Sequence, residues 1–211
     1  MTAVKLDELS KRFGDREVFR AVTLRFEPGR IYGLIGRNGS GKSVLMKCIA
    51  GLVRPSGGTV EVFGRQVGRD VDFAPDTGIA IEQPGLLLRK SAYDNMKILS
   101  ALTGRPCGAE IARLIGQVGL DPGERKPVGK YSMGMKQRLS IAMALLGGPR
   151  LLLLDEPMSN LDARGAEEMR ALFRRLADEG RTIVVATHVQ ADISELCDEV
   201  CHMEDYRVAA Q

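Results

Sequence analysis

Three stretches of this chain are apolar at nearly every position: Ile31–Ile35, residues 151–154 and Thr182–Ala186. A strand with one wet face alternates apolar and polar residues, whereas a strand covered on both faces has no need to. These three therefore read as central strands of a parallel sheet. Residues 22–26 alternate instead, as Val22-Thr23-Leu24-Arg25-Phe26, and run into the turn Glu27-Pro28-Gly29-Arg30. The first thirty residues thus read as short strands of an antiparallel layer. Residues 59–63 and 79–82 read as further strands.

Between residues 84 and 146 the apolar spacing changes to three and four. Ile98, Leu102, Ile111, Leu114, Ile115 and Val118 fall at helical intervals. Met135, Leu139, Ala142, Met143 and Leu146 then form one stripe, stopped by Gly147-Gly148-Pro149. Residues 43–50 and 166–179 read as helices closed by Gly51 and Gly180. Strands alternating with helices around a buried sheet give an α/β fold with a parallel core, interrupted by a helical insert. At 211 residues this is one domain. Residues 1–82 and 148–211 are expected to form the core with its β subdomain, and 83–147 the helical subdomain.

Composition mostly excludes. A hydrophobic share of 44% against 27% charged residues is that of a folded globular chain. A net charge of +3, with basic residues scattered among acidic ones, and few aromatics argue against a nucleic-acid partner. The N-terminal residues lack an apolar secretory run, and no stretch approaches a membrane span, so a cytosolic protein is expected. Any membrane part would then be another chain. Cys48, Cys107, Cys197 and Cys201 show no zinc-type pairing. Cys197, Cys201 and His202 are close in sequence, but they sit at a helix end and in a strand-like run, which suits buried apolar thiols better than a metal site.

The chemistry begins at the end of the first buried strand. Gly36-Arg37-Asn38-Gly39-Ser40-Gly41-Lys42-Ser43 fits G-x-x-x-x-G-K-[ST], a loop whose backbone N–H groups turn inward around phosphates at a helix N-terminus. Lys42 would reach the β- and γ-phosphates, and the Ser43 hydroxyl would ligate Mg²⁺. A second buried strand ends in Asp155-Glu156-Pro157. Neighbouring strand residues point to opposite sides, so Asp155 suits the metal shell and Glu156 the attacking water, as general base. A third feature, Tyr131-Ser132-Met133-Gly134-Met135-Lys136-Gln137-Arg138, puts a Ser-x-Gly turn at the head of a helix just ahead of that acidic strand. Ser132 suits an N-cap, and the same exposed N–H groups suit a phosphate.

With these pieces placed, the chain resembles the nucleotide-binding domains of ATP-binding cassette (ABC) ATPases, RecA-like P-loop NTPases, almost end to end. The family's Leu-Ser-Gly-Gly-Gln is occupied here by residues 131–135, with Met133 and Met135 departing from Gly and Gln. The resemblance implies that two cassettes sandwich two ATP molecules, Ser132 and Gly134 acting on the partner's nucleotide. It implies that Phe13 stacks on adenine, against the alternative of a core phenylalanine. Ser159-Asn160-Leu161-Asp162 would touch the opposite subunit, and His188 would contact the γ-phosphate. Val44 follows Ser43 where Thr is usual, removing a hydroxyl near the α-phosphate.

The family commonly reads Gln-x-Pro ahead of its helical insert. Here the segment is Ile81-Glu82-Gln83-Pro84, so either Glu82 or Gln83 fills that metal- and water-binding position. A glutamate there, an anion beside phosphates, would lean more on the metal. Together these motifs are similar to cassettes of bacitracin and lantibiotic self-protection exporters. The resemblance implies an Mg²⁺-dependent ATPase that is peripheral on the inner face of the cell membrane. It would power a separate permease that exports a peptide antibiotic, drug or lipid. The alternative is an ATPase driving a soluble assembly, such as iron–sulfur cluster biogenesis. Residues 85–96, where such permeases would press, include Leu86-Leu87-Leu88, which also suits a core segment.

Overall fold

The computed structural model describes residues 2–82, 85–102, 108–204 and 207–210. The chain opens with β1 (Val4–Phe13) and β2 (Arg16–Phe26), then β3 (Ile31–Ile35), helix α1 (Lys42–Ala50), β4 (Gly57–Val62), β5 (Arg65–Gln66) and β6 (Thr77–Ala80). Helices α2 (Ala92–Leu102), α3 (Gly108–Gln117) and α4 (Met133–Ala144) follow. The rest runs β7 (Leu151–Asp155), α5 (Ala163–Asp178), β8 (Thr182–Ala186), α6 (Gln190–Leu196), β9 (Glu199–Glu204) and β10 (Arg207–Ala210).

Two sheets result. One is antiparallel, in the order β2-β1-β4-β5; the other is β10-β9-β3-β8-β7-β6, parallel except at β10. The continuous apolar runs are the centre of the second sheet, and their alternation divides two cores. Leu152, Leu154, Ile183 and Val185 face a core shared with α4 and α5. Leu151, Leu153, Val184 and Ala186 face the other, shared with α1 and the antiparallel sheet. Every one of these side chains is fully buried, and burying a Leu or Val contributes about 1.5–3 kcal/mol relative to leaving it wet. The sheet is thus held from both faces, and its carboxyl ends are free to carry loops.

Several expectations shift. The first thirty residues form two long strands, not several short ones. Glu8 and Ala21 take positive φ (48° and 51°), and the β1–β2 register slips between Leu6 and Leu9; the alternation of residues 22–26 is kept, and the irregularity lies just before it, at Arg20-Ala21. The strand read at 79–82 ends at Ala80, because Glu82 has φ 59° and leaves the ladder. The strand read at 59–63 ends at Val62, since Phe63 (φ 48°) begins a turn. Helix α5 starts at Ala163, three residues earlier than expected, capped by Asp162 Oδ1 accepting from the Gly165 N–H at 2.9 Å.

Helix α4 is not a one-sided stripe. Leu139, Ser140, Ile141, Ala142 and Ala144 are all buried, while Met135 and Met143 are only partly so. It is packed on more than one side. Ile98 and Leu102, at helical spacing in the sequence, are exposed, whereas Ile111, Leu114, Ile115 and Val118 are core. Of the Leu86-Leu87-Leu88 run, Leu86 packs on the core and the other two are exposed. Among the described residues no helix is long and apolar enough to cross a membrane.

Candidate nucleotide-binding site

The site lies where the parallel strands end. β3 feeds residues 36–41 into α1, and Lys42, the first residue of that helix, is buried. Its ammonium donates to the carbonyls of Gly36 (2.7 Å) and Arg37 (3.2 Å), folding the loop around the charge. Of three N–H donors, one is left over. Ser40 Oγ is buried and has no hydrogen-bond partner among the described residues. A glycine-rich loop at a helix N-terminus, a buried cation with a spare donor and an unpartnered hydroxyl fit a polyphosphate.

Ser43 Oγ donates to Asp155 Oδ2 at 2.5 Å, joining α1 to the end of β7. Hydroxyl and carboxylate oxygens are the hard donors that Mg²⁺ prefers. Among the described residues no group of three or more His, Cys, Asp or Glu could hold a metal, so such an ion would take its other ligands from phosphate and water.

Glu156 diverges from Asp155, but not through simple strand alternation. Its φ of 48° turns the chain out of the strand while its N–H still donates to Ala186 O at 2.8 Å. The side chain then meets His188, with Nδ1 2.7 Å from Glu156 Oε1. With Glu156 ionised, and so only an acceptor, the contact requires the imidazole proton on Nδ1. The Glu156 carbonyl accepts from Ser159 Oγ (3.0 Å) and from Gln137 Nε2 (3.4 Å), which ties α4 to the acidic strand end.

Glu82 forms an ion pair with Lys47 of α1 at 2.6 Å, so this carboxylate has a cation beside it. Gln83 lies outside the described residues, as does Cys107. Phe13, at the end of β1, is half-exposed, and Lys11 Nζ lies 4.4 Å from its ring centroid. A core phenylalanine would be buried, so that alternative does not hold. Ser132 caps α4, accepting from the Met135 N–H at 3.2 Å. Gly134 packs against the Asn160 carbonyl.

These parts surround one cleft of about 1070 Å³. Phe13, Asn38, Gly39, Gly41, Lys42, Ser43, Val44, Glu82, Asp155 and Glu156 line it. Gly36, Arg37, Ser40, Ser132, Gly134 and His188 are not among its lining residues; the first three are part of the phosphate loop, and His188 reaches it through Glu156. Sequence reasoning missed Arg16 and Val18 on β2, and Lys136 and Gln137 on α4. The signal for the first two was their position on the strand after Phe13. The thiols of Cys48, Cys197 and Cys201 are free, and burial pushes them up to about 11, 12 and 11. They behave as apolar filling.

The sequence and the fold both match known proteins. The sequence profile of the family described as ABC transporter matches residues 19–159. The lantibiotic transport ATP-binding protein SrtF of Streptococcus pyogenes is 38% identical over 195 residues, 92% of this chain and 84% of that one. The bacitracin transport ATP-binding protein BcrA of Enterococcus faecalis is 36% identical over 204 residues, 96% of this chain but 66% of that one. Among solved structures, CbiO1 from Clostridium perfringens, part of the ABC transporter complex CbiONQ, superposes with a TM-score of 0.83 at 27% identity. That match covers 99% of this chain and 87% of that one. This chain therefore belongs to the ABC transporter family, as an ATP-binding subunit.

Proposed function

We propose that the chain hydrolyses Mg-ATP on the cytoplasmic face of a membrane and so powers a separate permease that exports a peptide antibiotic or similar amphiphile. The observation that carries the catalytic part is the meeting of three elements at one cleft: the Lys42 loop, the Ser43–Asp155 contact and the Glu156–His188 pair. The names of SrtF and BcrA support the transport part.

In this reading Phe13 offers a ring face to adenine, and the N–H groups of residues 36–43 bind the phosphates. Lys42 directs its spare donor at the β- and γ-phosphates. Ser43 and Asp155 would hold Mg²⁺, which when bound neutralises charge on the phosphate oxygens. Glu82, freed from Lys47 or still paired with it, bounds the metal side of the cleft. Glu156 accepts a proton from the attacking water, the water oxygen bonds to the γ-phosphorus, and the bond to the β–γ bridging oxygen breaks, giving ADP and phosphate. His188, held by its Nδ1–H, stays beside the transferring group. Ser132 and Gly134 would face the nucleotide of a second cassette, as the resemblance to the family implies.

Glu156→Gln keeps the shape and removes the base. ATP hydrolysis should fall by about a hundredfold or more while ATP affinity holds within about threefold. Undiminished turnover would remove Glu156 from this role. For the transport part, the full chain should co-purify with a membrane protein encoded beside it; a chain that never does so is not a permease subunit.

A further inference from the structure

We infer that Arg170, Asp192 and Thr187 form a positioning relay that fixes His188 against Glu156. The inference rests on the reading of His188 given above. Between the end of β8 at Ala186 and the start of α6 at Gln190 there are only three residues, and His188 is the middle one. Its own side chain is largely exposed and is hydrogen-bonded to Glu156. What holds its backbone is Thr187 before it, which is fully buried.

Both the N–H and the hydroxyl of Thr187 are engaged. Its N–H donates to Leu34 O at 3.2 Å, next to the start of the phosphate loop. Its hydroxyl donates to Asp192 Oδ2 at 3.1 Å and accepts from the Val189 N–H at 3.1 Å. The bonds therefore bracket His188 on both sides. Asp192 is 2% exposed, and a carboxylate so placed requires compensation. Arg170 supplies it, with Nη1 3.0 Å from Asp192 Oδ1 and Nε 3.1 Å from Glu195.

Arg170 belongs to α5, and this gives the relay its use. The N-cap of α5 is Asp162, at the end of the loop in which Ser159 binds the Glu156 carbonyl. Both members of the Glu156–His188 contact are thus referred to the same rigid helix: Glu156 through its N-terminal loop, His188 through Arg170 and Asp192. An anchor for α6 alone would need Asp192 and Arg170. It would not need the Thr187 hydroxyl to bridge Asp192 to Val189.

Thr187→Val removes the hydroxyl and keeps the shape. In steady-state ATP hydrolysis by the full chain, kcat should fall about tenfold with KM for ATP within about twofold, and Thr187→Ser should restore kcat to within about twofold. In a His188→Ala background the same Thr187→Val change should cost nothing further, because what it positioned is gone. An equal loss in both backgrounds would show a merely structural role, and unchanged kcat in Thr187→Val alone would show no relay; either overturns the inference. If His188→Ala by itself leaves kcat unchanged, the reading of His188 falls and the relay with it. Should Thr187→Val fail to fold, Thr187→Ala carries the same comparison.

Discussion

Two glycines of the phosphate loop do different work, and substituting each tests whether the loop has been read correctly. Gly36 has no unusual backbone angle, but a Cβ there would stand 2.6 Å from Ser40 Oγ and 2.7 Å from Met203 O. Gly39 is the reverse: nothing lies within 4 Å of its Cβ position, but its φ is +83°. Ser40 Oγ can rotate away. The Met203 carbonyl belongs to β9, which is paired along β3, and cannot. A carbon normally stands about 3.3 Å or more from a carbonyl oxygen, so Gly36→Ala must push loop and strand apart by about 0.6 Å. Overpacking of that kind costs about 1–3 kcal/mol. Gly39→Ala meets no atom and pays only for a left-handed alanine, about 1 kcal/mol, while Gly39→Asn should cost less because Asn tolerates that region.

Where the clash energy appears depends on what moves. If β9 gives way, it appears as lost stability, about 2–4 °C in Tm for each kcal/mol in a chain of this size. If the loop swings out, the free protein relaxes and nucleotide binding must restore the clash, so affinity falls about tenfold for each 1.4 kcal/mol. The assay is therefore a pair: thermal unfolding, and titration with a fluorescent ATP analogue. The combined loss should rank Gly36→Ala above Gly39→Ala above Gly39→Asn. A Gly36→Ala variant with unchanged Tm and affinity would refute the close approach. A Gly39→Ala variant worse than Gly36→Ala would refute the assignment of which constraint is steric.

Arg138, largely buried, donates to Val118 O at 2.7 Å and to Glu168 at 2.8 Å; Arg138→Met should cost about 1–3 kcal/mol, seen as a fall in Tm, chiefly through the carbonyl left unpaired. Asp198 is partly buried, which alone would raise its pKa, but the Ile31 N–H and Arg174 hold it below the usual carboxylate range. A depressed carboxylate stabilises above its unfolded value and stops doing so as pH falls through its folded value, so the Tm gap between wild type and Asp198→Asn, present at pH 7, should close below about pH 4. Cys48 and Cys201, both buried, should resist iodoacetamide at pH 8 in the native protein and react on unfolding, as peptide mapping by mass spectrometry would show; native labelling of either would contradict its burial.

The contiguous parts of the site were legible because they are local. Residues 36–43 and 155–156 each lie at a strand or helix end, and an apolar run beside them announces that end. The parallel core was legible for the same reason. What escaped notice depends on pairs far apart in sequence or on backbone angles that no side chain advertises. Lys47 neutralises Glu82 from thirty-five residues away. The buried Asp192 is compensated across two helices, and from the sequence it reads as one more acid in an amphipathic turn. Helix α4 looked one-faced because Ser140 and Ala144 are not strongly apolar, yet both are buried. Glu8 and Ala21 break β1 and β2 with positive φ, which the alternation of residues 22–26 cannot foretell.

The divergence of Glu156 from Asp155 has a different cause from the strand alternation that the sequence suggests. Strand alternation separates Asp155 from Glu156 only if both stay in the strand, and Glu156 does not. Its left-handed backbone costs about 1–3 kcal/mol, which the surroundings must impose. They do so through the N–H bond to Ala186 O and the Ser159 bonds to its carbonyl. The register that pairs Asp155 with Ala186 sets the strands side by side, so the turn at residue 156 and the loop after Ala186 leave the sheet at the same level. A glutamate kept extended would follow the strand line away from that loop. The strained turn therefore brings the Glu156 carboxylate to the histidine. Glu156→Gly should relieve the backbone, raising Tm, while abolishing ATP hydrolysis if Glu156 is the proposed base; a variant no more stable than wild type would show that the turn is not strained.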